Sequence, residues 1–152
     1  MAELARAELK DYNRDGFLNW RYLHQESGAE QWYGDDKHVM DDMLAHTTVA
    51  AAAYVFRANC SLDTRYCEHA RFWTGYLRNH FEAKWRKRNN VPTGPFFLDK
   101  NLAHPHLQWT RYTLYMHRLT GDTTYLQEAR TRATEFAQPL HTASPPAGEA
   151  YG

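Results

Sequence analysis

Apolar positions recur along this chain with a helical period over most of its length. Residues 2–10 read as a short polar helix, and residues 19–27 as a second one. From Val39 to Asn59 nearly every side is apolar, through Met40, Met43, Leu44, Val49, Ala51, Ala52, Ala53, Val55 and Phe56. A helix without a polar face is normally surrounded by other helices. Residues 64–87 carry a narrower stripe, Tyr66, Ala70, Trp73, Leu77, Phe81 and Trp85, at spacings of three and four, which predicts packing on one side only. Pro92, Gly94 and Pro95 end that pattern. The next helix opens near His104 or Pro105, where proline suits a first turn, and presents Trp109, Tyr112, Met116 and Leu119. Gly121 then reads as a helix stop and Asp122 as a start for a helix carrying Leu126, Ala129, Ala133, Phe136 and Leu140. No alternating strand pattern of useful length competes.

These periods predict an all-α chain in three parts. Residues 1–38 form a helix, loop and helix; residues 39–140 form two antiparallel helical hairpins, 39–87 and 104–140; residues 141–152 are a loop or tail. In each hairpin the first helix has the broader apolar surface, so the first helices should form an inner layer and the second an outer one.

At 152 residues the chain is about one domain and long enough to bury a core without staples. Eighteen basic residues balance eighteen acidic ones, which argues against a nucleic-acid or membrane-surface binder, since those partners select for surplus Lys and Arg. No apolar run approaches the roughly 20 residues that span a bilayer, and the start, MAELARAELK, reads as a polar helix rather than a signal peptide. Aromatic residues make up 14% of the chain, with five Trp and ten Tyr. That supply serves either a core between helices or stacking on sugar rings. Cys60 and Cys67 flank a short connection between two helices, and the sequence leaves open whether they are bridged or free.

The stretch DYNRDGFLNWRY, residues 11–22, opens as an EF-hand or dockerin-like calcium loop does. Asp11, Asn13 and Asp15 stand where side-chain oxygens converge on a hard cation, Gly16 where the turn sharpens, Phe17 where a backbone carbonyl ligates, and Asn19 where a ligand binds directly or through water. The twelfth position departs from the pattern: a bidentate acid is wanted and Tyr22 is present, so Glu26, Asp35 or Asp36 would have to complete the shell. The alternative is an Asx-rich turn joining two elements.

The stretch HPHLQWTRYTLYMHRLTGDTTYLQEA resembles the helix, Leu-Thr-Gly-Asp turn and Tyr-Leu pattern of α/α-toroid carbohydrate-active proteins, among them polysaccharide lyases, uronyl hydrolases and glucuronyl epimerases. MLAHTTVAAAAYVFRAN leading to DTRYCEHARFWTGYL is similar to the preceding hairpin of that architecture. The resemblance covers about residues 39–140 and implies part of a toroid-like array, completed by the rest of a longer chain or by an oligomer partner. It further implies a ligand groove at the ends of the inner helices, with His46, Asn101, His104, His106 and Trp109 as candidates, an acidic polysaccharide or oligosaccharide as partner, and a periplasmic or extracellular setting.

Lyase-type β-elimination from a uronate needs a group that stabilises the enolate-like carboxylate, a base for the carbon-bound proton and an acid for the leaving oxygen. Asn101 or a histidine suits the first role, His46 or His106 the second, and Tyr112 the third. Trp32 and Tyr33 are candidates for stacking on sugar because no helical stripe claims them. A glycosidase would instead draw on the acidic cluster Asp35, Asp36, Asp41 and Asp42, which also reads as a helix start. The pair His104 and His106 lacks a third zinc ligand at a recognisable spacing, and the cations of KWRKR, residues 84–88, complement a helix C-terminus. The rival to an enzyme is a non-catalytic, calcium-stabilised helical module for protein interaction or assembly.

Overall fold

The apolar run that starts at Val39 forms the long helix α2 (Val39–Ala58), opened by Asp41 and Asp42 in its first turn, where carboxylates complement the helix dipole. Before it come α1 (Ala2–Ala7) and two short strands, β1 (Arg21–Leu23) and β2 (Glu30–Trp32). After it come α3 (Thr64–Tyr76), a π-helical turn (Leu77–Glu82), α4 (Ala83–Lys87), α5 (Ala103–Thr120) and α6 (Thr123–Thr142). This computed structural model describes residues 2–12, 14–23, 30–32, 39–87 and 103–142, with side chains for 2–12, 14–21, 40–86 and 106–134. The protein is mostly helical, and among the described residues no helix is long and apolar enough to cross a membrane.

Local chemistry sets the helix ends. Asp63 caps α3 by accepting from the Arg65 amide at 2.9 Å. Gly121 takes a left-handed φ of 75° and donates its amide to the His117 carbonyl at 2.8 Å, closing α5, while Asp122 accepts from the Thr124 amide at 2.9 Å and opens α6.

Helices α2 and α3 run past one another in opposite directions: His46 near the start of α2 meets Tyr76 at the end of α3, and Phe56 near its end meets Tyr66 near the start of α3. Helices α2 and α5 lie side by side and run the same way. Thr47 donates to the Gln108 carbonyl at 3.2 Å, and one turn series later the Arg57 guanidinium donates to the Leu119 carbonyl. The core fills the space between these rods with Met43, Trp73, Tyr76, Leu77, Phe81, Trp85, Trp109, Tyr112, Met116 and Leu119.

Two expectations need correction. Residues 19–23, the described part of the helix expected over 19–27, are not helical. Lys10 and Asn19 exchange backbone hydrogen bonds, and the chain leaves that bridge extended as β1, which pairs antiparallel with β2 in the register Tyr22 opposite Gln31. Trp20 fixes this path, since its indole donates to the Ala5 carbonyl at 2.7 Å and its ring packs on His46, Trp73 and Tyr76. The second correction concerns 64–87, which is buried on more than its aromatic stripe. The wide π-helical turn rotates the face around it, so Glu82, off the stripe of a regular helix, turns inward beside Phe81, while Lys84 and Trp85, three and four residues after Phe81, keep the buried face.

Cys60 and Cys67 are bridged across the turn between α2 and α3, with their Cα atoms 4.9 Å apart. A loop this short restricts the unfolded chain by about 2 kcal/mol in the chain-entropy account. Reduction, or replacement of both cysteines by serine, is therefore expected to lower unfolding stability by about that amount, read as a fall in the urea midpoint without loss of helical circular dichroism.

Candidate functional site

His46 is sealed inside the molecule, 1% exposed. Its Nδ1 faces the Asp42 backbone carbonyl at 2.9 Å and the Asp42 carboxylate at 3.0 Å, two acceptors, so the ring proton sits on that side. Nε2 then accepts from the Tyr76 hydroxyl at 2.7 Å, and Phe81 stacks on the ring at 4.4 Å. Asp42 also accepts from the Trp85 indole at 2.5 Å. Burial, with the nearby Asp42 charge, pushes the Tyr76 phenol well up from its usual range, so it stays protonated. Every polar atom of His46 is turned to the core, and it has no surface for a solvent-borne sugar.

A second buried cluster centres on Glu82, at the end of the π-helical turn. Its Oε2 accepts from Tyr125 at 2.7 Å and from Tyr112 at 3.1 Å, and its Oε1 accepts from Arg86 Nε at 2.7 Å. Arg86 reaches on to Glu128 at 2.7 Å, and Glu128 accepts from the Trp109 indole at 2.9 Å. Burial, reinforced by the Glu82 charge, raises the Tyr112 phenol well above its usual range; burial and the Glu82 hydrogen bond raise Tyr125. Burial opposes charge on Arg86, but hydrogen bonds to Glu128 and Glu82 outweigh it and raise its pKa. Tyr112 and Trp109, expected at a sugar cleft, are thus core struts. They tie α5 to the π-helical turn and to α6 through charge-assisted hydrogen bonds.

The N-terminal loop turns sharply at Arg14 (φ 58°) and Gly16 (φ 89°), both left-handed. Asp11 accepts from the amides of Asp15 and Gly16, each at 3.0 Å, and Asp15 Oδ1 accepts from the Phe17 amide at 2.9 Å. Asn19 Oδ1 accepts from the Trp20 amide at 3.0 Å. The loop docks on the helices through Leu18: its amide donates to His80 Nδ1 at 3.1 Å, and its carbonyl lies 3.3 Å from the Tyr76 hydroxyl oxygen. Burial lowers the His80 pKa, opposed by the Asp11 charge, which suits a neutral ring accepting at Nδ1.

Calcium takes six to eight oxygens. Here the Asp11 and Asp15 carboxylates cap their own turn, and the ammonium of Lys84 stands 3.5 Å from Asp15 Oδ2. The twelfth residue, Tyr22, belongs to a strand rather than to a returning helix. Among the described residues no group of three or more His, Cys, Asp or Glu side chains is placed to hold a metal. The described ligands Asp11, Asp15 and Asn19 do not fit a calcium ion beside a lysine ammonium; Asn13 lies outside the described residues.

The described surface does hold an open groove of about 580 Å³, lined by Tyr54 of α2, by Arg111, Leu114, Tyr115, His117 and Arg118 of α5, and by Leu126 of α6. The Tyr54 and Tyr115 rings lie 6.1 Å apart and tilted by 43°. His117 donates from Nδ1 to the Asp122 carbonyl at 3.0 Å, which leaves Nε2 as the acceptor of the neutral ring. Among the described residues no acidic side chain lines this groove, and no carboxylate is paired with Arg111 or Arg118. Two aromatic faces beside two guanidiniums and an imidazole can take a flat ring that bears a negative charge. The sequence reading passed over these residues. The signal was there in Arg111, Leu114 and Arg118, at helical spacing on the side of α5 opposite its aromatic stripe.

His106 is buried at 8% exposure on α5 and, like His46, Trp109 and Tyr112, does not line the groove. Asp42 is buried, so the acidic cluster offers no open pair from this end of α2. Of KWRKR, Lys84 and Arg86 are committed to Asp15, and to Glu82 and Glu128. The side chains of Trp32 and His104, and the whole of Glu26, Tyr33, Asp35, Asp36 and Asn101, lie outside the described residues. Compared with protein-family models, with curated proteins and with solved structures, the chain finds no match.

Proposed function

We propose that this protein binds an acidic oligosaccharide across the groove at Tyr54, Arg111, Tyr115 and Arg118, and cleaves it by lyase-type β-elimination. The observation that carries the reading is the conjunction of two tyrosine faces with two guanidiniums that have no carboxylate partner among the described residues. A uronate carboxylate pairs with a guanidinium, which also draws off charge as the adjacent carbon loses its proton. His117 Nε2 is the base that takes that proton, and a tyrosine hydroxyl returns one to the leaving oxygen as the carbon–oxygen bond breaks and the ring gains a double bond. Parallel α2 and α5, each backed by an antiparallel partner, are also what two neighbouring units of an α/α array require.

The test uses alginate, hyaluronan and pectin fragments, with calorimetry for binding and ultraviolet absorbance for the unsaturated uronate. Arg111→Ala with Arg118→Ala is expected to weaken binding about tenfold or more and to flatten its salt dependence. His117→Ala should abolish the absorbance and leave binding nearly intact. Absence of both binding and absorbance across the panel overturns the reading. A second reading, a helical docking module, draws on the exposed Leu44 and Val55 of α2 and Leu107 and Leu114 of the neighbouring α5. It predicts self-association or capture of a partner that is indifferent to salt and to the arginines.

A further inference from the structure

We propose that the ammonium of Lys84 is the resident cation of the N-terminal loop, which therefore holds its shape without calcium. The sequence of the loop invites a metal, and the fold supplies a charge instead. Lys84 is 1% exposed, and its Nζ lies 3.5 Å from Asp15 Oδ2. A buried ammonium is tolerated only where a carboxylate and further polar contacts compensate it, so the placement is specific rather than incidental. Asp15 in turn serves both partners at once, with Oδ1 on the Phe17 amide and Oδ2 toward Lys84.

Helical spacing explains how lysine reaches this position. Residue 84 stands seven residues after Leu77 and three after Phe81, on the buried face of the helix, where its ammonium meets the loop at Asp15. The π-helical turn just before it, Leu77–Glu82, carries His80, which accepts from the Leu18 amide. One stretch of helix thus provides both the charge that faces Asp15 and the acceptor that anchors the loop's exit. A divalent ion against Asp15 Oδ2 would stand close to the positive charge of Lys84, itself 3.5 Å from that oxygen, and the repulsion opposes its binding. The inference is independent of the sugar groove, which lies on α2, α5 and α6.

Hydrogen exchange at the amides of Asp15, Gly16, Phe17 and Leu18 reads the loop directly, because each of them donates a bond described above. In the intact protein, protection at these amides should be the same in millimolar calcium chloride and in chelator. Lys84→Met keeps the aliphatic volume and removes the charge, while Asp15→Asn keeps an oxygen for the Phe17 amide and removes the partner charge. Each is expected to lower protection there by about tenfold, and the double variant by little more than either alone. Exchange in the α5 core serves as the control for global folding. The proposal is overturned if calcium raises protection in the intact protein, if neither single variant changes it, or if the two losses simply add.

Discussion

Glu82→Ala is expected to destabilise the protein by about 3–5 kcal/mol, the cost of removing one partner from a buried, hydrogen-bonded charge cluster. Three donors converge on this carboxylate: Tyr112, Tyr125 and Arg86. Alanine leaves two buried phenols without an acceptor and Arg86 with Glu128 alone. The loss should appear as a large drop in the urea midpoint, with the unfolding slope nearly unchanged. Glu82→Gln keeps the shape and one acceptor but sets an amide against Arg86, so it should lose less. A loss below about 1 kcal/mol for the alanine variant would mean that Arg86 and Glu128 carry the cluster without Glu82.

The second large effect is alkaline unfolding. Tyr76, Tyr112 and Tyr125 all have phenols raised above their ordinary values, first by burial and then by nearby carboxylates. A folded-state pKa above the unfolded one means that the contribution is complete below the unfolded value of about 10 and is lost as pH rises from there toward the folded values. Above about pH 10 the unfolded chain releases these protons and the folded chain does not. Stability then falls by about 1.4 kcal/mol per pH unit for each phenol, or about 4 kcal/mol per unit for the three together. Against a total of about 5–15 kcal/mol this is enough to unfold the protein within a few units. Urea midpoints measured from neutral pH upward, with tyrosinate absorbance followed in parallel, check it. Tyr112→Phe and Tyr125→Phe should each make the decline shallower, even where they lower the neutral-pH value. A midpoint that stays flat above pH 10 would show that these phenols ionise in place.

The two effects share a cause that bears on the site. The residues best suited by type to acid and base work, His46, Tyr76, Glu82 and Tyr112, are the ones the fold uses as internal struts. The groove at Tyr54 and Arg118 is lined by side chains outside these two buried clusters. Under the proposed function, variants of Arg111 and Arg118 should change binding with little effect on the urea midpoint, and Glu82 variants the reverse.

Hydrophobic spacing alone determined the long helices, the Gly121–Asp122 stop and start, and most of the aromatic core, because those features depend on neighbours three or four residues apart and on one turn's capping chemistry. Composition determined that the charges balance. Pairings across the chain were decided only by the tertiary structure. Whether Cys60 met Cys67, whether Asp15 faced a metal or Lys84, and whether His46 looked outward or toward Tyr76 depended on which helix packed where. The π-helical turn is the clearest case. Its displaced face sent Glu82 inward against the periodic pattern, and no local propensity in LRNHFE announces it. Its physical reason lies in the partners it reaches, Tyr112 and Tyr125 through Glu82 and the loop at Leu18 through His80, all of them distant in sequence and close only after folding.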